Sequence, residues 1–313
     1  MTGGAGYIGA CATRELLAAG HEVTVLDSLL HRQEPVAAAL EAAGALLVRG
    51  DVRDAGARAA ALDGAEAVVH LAAIVGDPAC AAAPEVSHAV NVAATGALVD
   101  AAAGVERFVF ASTCSNYGRM ADPLVPVDET APLAPVSLYA EQKVAIEREL
   151  LARDGAFTCL RFATIYGVAE RMRFDLTVNE FTRDLWDGRT LEVYGERFWR
   201  PYVHVADAAR AVAMALAAPA ERVAGRVFNV GHSDENYRKL DIVGIIRDRL
   251  PAADVRFVHR DEDPRDYRVA FERIRSELGF EPVMRVPDGV AELLVGLEER
   301  RFGDPFDRRF SNV

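Results

Sequence analysis

Short apolar runs alternate with longer mixed stretches through the first half of the chain. Glu22–Asp27 (Glu-Val-Thr-Val-Leu-Asp) is one such run, and Ala45–Asp51, Ala67–Ala73, Arg107–Ser112 and Phe157–Phe162 repeat the theme. Runs that are apolar throughout, and not on every second residue only, predict strands buried on both faces. Pro35–Ala43 predicts one of the helices between them. Strands separated by helices in this way predict an α/β fold, a doubly wound parallel sheet covered on both sides. After Gly167 the alternation loosens. Residues 168–202 mix helix, turns, aromatics and basic side chains, short strands return at Val203–Val205 and Val227–Val230, and residues 232–313 read as a smaller lobe. The expected organisation is a large domain over 1–167, rejoined by about 203–231, with 168–202 and 232–313 forming an interleaved lobe that binds substrate in the cleft between them.

The chain opens on Thr2-Gly3-Gly4-Ala5-Gly6-Tyr7-Ile8-Gly9. Glycines at 3, 6 and 9 permit a tight bend, let backbone amides approach a pyrophosphate and let the following helix pack on the sheet. This is the turn of a dinucleotide-binding (Rossmann) domain, with Tyr7 and Ile8 supplying amides at the helix start. Asp27 ends the next strand 18 residues beyond Gly9. A carboxylate there accepts hydrogen bonds from a ribose and repels a 2′-phosphate, which favours NAD over NADP. Asp51-Val52 follows the third strand and is expected near the adenine. Leu71-Ala72-Ala73 closes the fourth with small residues that suit a passing dinucleotide, and Asn91 reads as a satisfied polar group in a helix. Only Met1 and Thr2 precede the glycine turn, whereas such folds place a strand of about five residues there. The expectation is a start assigned too late; a native mass equal to that of these 313 residues would overturn it.

Tyr139-Ala140-Glu141-Gln142-Lys143 lies 130 residues beyond Gly9 and puts a phenol and an ammonium on one face of a helix. A free tyrosine, with a pKa near ~10, is a poor base at neutral pH. A nearby ammonium and a positively charged nicotinamide both favour the phenolate. Tyr139 is then suited to take a hydroxyl proton while the dinucleotide takes a hydride, and Lys143 to hold the nicotinamide ribose.

With 313 residues, 51% of them hydrophobic and 26% charged, the chain is long enough for a large core. Its net charge of −12 disfavours nucleic acid and anionic membrane as partners. The four cysteines are scattered without a Cys-x-x-Cys pair, no metal-ligand cluster stands out, and no run is long enough to span a membrane. A reducing, cytoplasmic setting is expected.

The sequence resembles the extended short-chain dehydrogenase/reductase family, in particular its nucleotide-sugar epimerases and dehydratases. The resemblance rests on Thr2–Gly9, Asp51-Val52, His70–Ala73, Ser112-Thr113-Cys114-Ser115-Asn116-Tyr117-Gly118, Tyr139-x-x-x-Lys143 and Arg200-Pro201-Tyr202-Val203-His204-Val205-x-Asp207. It implies bound NAD, a nucleotide-diphosphate sugar as substrate, and Thr113, Tyr139 and Lys143 as catalytic residues, Thr113 orienting the substrate oxygen. It implies Arg200 and Arg260 on the diphosphate and Asp263 on the substrate ribose, and a homodimer formed through two helices, one carrying Tyr139 and the other over Asn91–Ala103. The family's 4,6-dehydratases carry Asp and Glu after the Thr, where this chain has Cys114 and Ser115. Thr164 and Val168 replace an asparagine and a proline usual at that strand end. Redox chemistry alone is therefore expected: first a C4 epimerase, second an NDP-4-keto-6-deoxysugar reductase, third a decarboxylating enzyme acting on a uronic acid. A non-catalytic NAD-sensing regulator is the contrasting class.

Overall fold

The computed structural model describes residues 1–120, 122, 124–258 and 265–312. Its elements run α1 (Tyr7–Ala18), β1 (Thr24–Asp27), α2 (Glu34–Ala42), β2 (Leu46–Arg49), α3 (Ala55–Leu62), β3 (Ala67–His70), α4 (Asp77–Ala82), α5 (Pro84–His88), α6 (Ala94–Ala101), β4 (Arg107–Thr113), α7 (Leu138–Ala152) and β5 (Phe157–Phe162). The second half continues with β6 (Thr164–Tyr166), α8 (Thr177–Trp186), β7 (Leu191–Tyr194), β8 (Trp199–His204), α9 (Val205–Ala217), α10 (Ala220–Val223), β9 (Arg226–Val230), β10 (Asn236–Arg238), α11 (Lys239–Arg247), β11 (Val255–Val258), α12 (Glu272–Leu278) and α13 (Val286–Glu298). The strands predicted around 24–27, 46–49, 67–70, 107–112, 157–162 and 227–230 are all present.

The main sheet is parallel throughout, with β2 beside β1 and β3-β4-β5-β9 in that order. Between β1 and β3, where a central strand is expected, stands Thr2 alone, bridged in parallel to Leu26 and to His70. Thr2 N donates to Val69 O at 2.9 Å, Gly3 N to Leu26 O at 2.8 Å, and Leu71 N to Thr2 O at 3.1 Å. Two residues thus do the hydrogen bonding of a short strand at the centre of the sheet.

The strand predicted at Val203–Val205 proves longer and sits elsewhere. β8 pairs in parallel with β6 and antiparallel with β10, away from the main sheet. Val205 already begins α9, whose start His204 caps by accepting from Ala206 N. A third small sheet pairs β7 with β11. Val178, Leu185, Val193, Ile242, Val290 and Leu293 form the core of this lobe. Val109, Leu160, Ala208, Val212 and Phe228 form the core beneath the main sheet. The lobe meets the glycine turn at Tyr7, whose hydroxyl donates to Gly167 O at 2.5 Å and accepts from Asn179 Nδ2 at 2.9 Å. No described helix is long and apolar enough to cross a membrane.

Candidate active site

A cleft of 450 Å³ opens along the carboxyl ends of the parallel strands, where a doubly wound sheet binds its ligands. Gly3, Gly6, Tyr7, Ile8, Gly9, Asp27, Asp51, Val52, Leu71, Ala72 and Ala73 all line it, together with Thr113, Tyr139 and Lys143. The glycines are required by space as well as by conformation. Gly3 has φ +69°, and a Cβ on it would lie 2.7 Å from Ala72 N; one on Gly9 would lie 2.1 Å from Gly3 O. A turn that admits no side chain leaves room for a phosphate against the backbone, so these residues fit a dinucleotide.

Asp27 is buried, and its two carboxylate oxygens accept from Ala5 N at 3.0 Å and Leu29 N at 2.9 Å. Burial raises its pKa while those amides pull it down. Each oxygen keeps a lone pair for a ribose hydroxyl. Asp51 is gripped by the Arg53 guanidinium at 3.0 and 2.7 Å, which holds its carboxyl below the usual range. Asn91 is fully engaged: Ile74 N donates to its Oδ1 at 2.8 Å, while its Nδ2 donates to Ile74 O at 3.0 Å and to Gln142 Oε1 at 2.8 Å.

The three side chains expected to be catalytic come from two elements. Thr113 ends β4, and its Oγ accepts from Ser115 N at 3.1 Å, which leaves the hydroxyl proton free for a substrate oxygen. Tyr139 and Lys143 lie one turn apart on α7, whose N-cap Ser137 accepts from Ala140 N and donates to Asp77 at 2.5 Å. Lys143 is buried, donates to Ala111 O at 2.7 Å and has its pKa lowered by burial to about 8. Its Nζ lies 5.9 Å from the centre of the Tyr139 ring. The expected effect on Tyr139 needs correction. Burial pushes the phenol up, Cys80 and Asp77 add to the rise, and Arg173, not Lys143, is the opposing cation. Within the protein alone the phenol is held protonated, so a bound nicotinamide's charge is the remaining source of the downward shift.

Cys114 faces away from this chemistry. It is fully buried, donates to Arg161 O at 3.2 Å, and burial raises its thiol pKa. It fills core, as free cysteines commonly do. Ser115 does line the cleft.

The substrate end departs from the sequence expectation. Arg200 does not line the cleft. Its guanidinium is buried, donates to Trp199 O and Arg265 O at 2.6 Å each, and lies 5.3 Å from the centre of the Tyr267 ring. It supports the wall from behind. Arg260 and Asp263 lie outside the described residues. The residues that reach the cleft are Arg265, paired with Asp77 at 2.8 Å, and Tyr267, a buried phenol whose pKa burial raises. Sequence reasoning missed all three, and missed Arg171 and Arg173, which also line the cleft. The signal was the Arg265-Asp266-Tyr267 run beside the segment that drew attention at 260–263.

A parallel sheet with a glycine turn, an acidic residue at the end of β1 and a Thr/Tyr/Lys group at the strand ends defines a dinucleotide-dependent enzyme fold. Residues 1–231 match the NAD dependent epimerase/dehydratase family, and the chain belongs to it. It is 30% identical to a UDP-glucose 4-epimerase of Corynebacterium glutamicum over 308 residues, 90% of each chain. It is 32% identical to a dTDP-glucose 4,6-dehydratase of Streptomyces griseus over 317 residues, 96% of this chain and 94% of that one. Among solved structures, DesIV, a dTDP-glucose 4,6-dehydratase from Streptomyces venezuelae crystallised with NAD, superposes with a TM-score of 0.86 at 32% identity, covering 97% of this chain and 98% of that one.

Proposed function

We propose that the protein is a nucleotide-sugar 4-epimerase that retains and recycles NAD. One observation carries the choice: Thr113, Tyr139 and Lys143 share the cleft, while Cys114 is sealed in the core beside them. The oxidising apparatus is complete, but the position that would supply an acid for eliminating water is turned inward. Serine at 115 is a poor base for a carbon-bound proton. The relatives include both epimerases and dehydratases, so the distinction rests on these side chains.

Bound NAD would supply a hydride acceptor and donor at the sugar's C4. Gly3, Gly6, Tyr7 and Asp27 would hold its adenosine half, and Lys143 its nicotinamide ribose. Tyr139 takes the proton of the C4 hydroxyl and returns it after the sugar has turned over. Thr113 donates to the same oxygen and keeps it within reach. Asp27 favours the non-phosphorylated dinucleotide, which suits an enzyme that does not draw on a reducing pool.

The test is to incubate the protein with UDP-galactose, UDP-glucose and dTDP-glucose and to follow the sugars by NMR. Interconversion of C4 epimers without net NADH release is expected. A 4-keto-6-deoxy product would show a dehydratase and sink the argument from Cys114. Reduction of added 4-keto-6-deoxysugar with NADPH would favour the reductase, and inertness with tight NAD binding a regulator. A homodimer through α7 and the helix over Asn91–Ala103 accompanies the leading reading: an open groove beside α7 is lined by Pro84, His88, Val92, Leu138 and Ala145, with Val86 exposed beside it. Sedimentation as a monomer at micromolar concentration would remove that part.

A further inference from the structure

The segment that leaves Gly167 brings two arginines to the dinucleotide cleft, and only one of them is neutralised there. Arg173 forms a two-pronged pair with Asp175 at 3.0 and 2.8 Å. Arg171 lines the same cleft and is only 5% exposed. Its Nη2 donates to Asn312 Oδ1 at 2.6 Å and to Ser311 O at 3.4 Å, both neutral acceptors. Its Nε is buried and has no hydrogen-bond partner among the described residues. Among the described residues, Asp175 and Asp27 are the carboxylates that act on it most strongly. The first is committed to Arg173 and to Asn312 N, the second to the amides of Ala5 and Leu29.

The surroundings make this cation more anomalous. Arg171 lines the same cleft as Gly3, Gly6, Tyr7, Gly9 and Asp27, and its charge is felt by Tyr7 and Asp27. There α1, a helix of 12 residues, presents its amino end, itself a site of partial positive charge. Burial and Arg173 lower the pKa of Arg171 to about 10. A buried guanidinium with an unused N–H, sharing a cleft with a second positive element, is unfavourable until an anion binds there. A pyrophosphate brings two negative charges and several acceptor oxygens, and guanidinium matches them geometrically.

We infer that Arg171, held by Ser311 and Asn312, is a clasp for the pyrophosphate of the bound dinucleotide, joining the substrate lobe and the carboxyl-terminal segment to the glycine turn. The inference rests on the reading of the cleft as an NAD site. A substrate diphosphate offers the same chemistry, but Tyr7 and Asp27 mark the cofactor end, while Arg265 and Tyr267 mark the other.

The experiment strips bound nucleotide and titrates wild type, Arg171→Met, Arg171→Lys and Asn312→Ala with NAD and, separately, with UDP by calorimetry at low and high salt. For Arg171→Met the NAD Kd should rise by about tenfold or more, with a shallower salt dependence and an unchanged UDP Kd. Arg171→Lys should recover part of the loss, and Asn312→Ala should weaken NAD by about threefold. Circular dichroism and the Tm of the stripped Arg171→Met protein should not fall, because an ill-compensated charge has been removed. An NAD Kd within about twofold of wild type overturns the inference, as does a loss confined to UDP. Wild type that binds no NAD would sink the cofactor reading itself, a result distinct from either.

Discussion

Lys143 Nζ rests 2.7 Å from the carbonyl oxygen of Ala111, two residues before Thr113 on the same strand. One hydrogen bond therefore fastens the helix that carries Tyr139 to the strand that carries Thr113. The ammonium also stands 4.6 Å from the centre of the Phe110 ring, a further favourable contact for a buried cation.

Lys143→Met should abolish most activity while stabilising the nucleotide-free protein. Its folded pKa of about 8 lies below the ordinary 10.5. Below pH ~8 both folded and unfolded chains carry the proton, and the burial penalty is present in full. Between pH ~8 and ~10.5 only the unfolded chain keeps it, so this group's contribution to stability rises with pH. Thermal melts should show the variant ahead of wild type by about 1–3 kcal/mol at pH ~7, with the gap closing above pH ~10. A variant less stable at neutral pH would refute this.

Tyr139→Phe removes the proton carrier and little else, so kcat should drop by about 10²–10⁴ with NAD affinity nearly unchanged. Phenolate absorbance offers a second check. Because burial raises this phenol, its titration in stripped protein should lie above that of free tyrosine and move down when NAD binds.

Cys114→Ala should retain activity to within about threefold, and the native thiol should resist alkylation until the chain unfolds. Cys114→Asp should lose several kcal/mol, on the order of 3 or more, without gaining dehydratase activity, because the carboxylate would be buried without a cation aimed at it. Appearance of a 4-keto-6-deoxy product from Cys114→Asp would contradict the inward orientation.

Glu147 continues the face of α7 that carries Tyr139 and Lys143. It is bound by Arg161 through Nε at 3.1 Å to each oxygen and again through Nη2, with Ser112 Oγ donating at 2.8 Å. Both charges are buried, so Glu147→Leu alone should destabilise by about 3–5 kcal/mol, and the Glu147→Leu/Arg161→Leu double variant should recover most of that in denaturant melts. Equal losses in both would deny the pairing.

Asp27→Asn keeps the shape but replaces one acceptor oxygen with a donor nitrogen, so one of the amide bonds from Ala5 or Leu29 is lost. A fall of about 1–2 kcal/mol in stability should accompany a narrowed preference for NAD over NADP in binding titrations. An unchanged NAD/NADP ratio would show that Asp27 only braces the turn.

The cofactor half was legible because each requirement there is local. Gly3 and Gly9 must be glycine by sterics, and Asp27 follows a strand whose apolar run is complete in itself. Tyr139 and Lys143 were legible for the same reason, being one turn apart on one helix. The substrate wall was not, because it is assembled across the fold. Arg265 is defined by Asp77, 188 positions away, and Arg200 donates through Nη1 to the carbonyls of Trp199 and Arg265, contacts that no local pattern reveals. Likewise Cys114 and Ser115 are adjacent in sequence, and only the short helical turn over Cys114–Tyr117 turns one into the core and the other to the cleft. The tuning of Tyr139 was misjudged because burial is a property of the surroundings and has no sequence signature.

Gln142 sits between Tyr139 and Lys143 on α7 and accepts from Ser87 Oγ at 2.7 Å and Asn91 Nδ2 at 2.8 Å, while Asn91 grips both main-chain groups of Ile74. One amide side chain thereby yokes α7 to the loop lining the cleft after β3. Positions 74, 87, 91 and 142 should behave as a single inherited unit: a change at Gln142 will be tolerated or rejected according to what occupies 87 and 91. A library that varies α7 by itself will therefore sample few working enzymes, whereas one that varies these positions together will find many more.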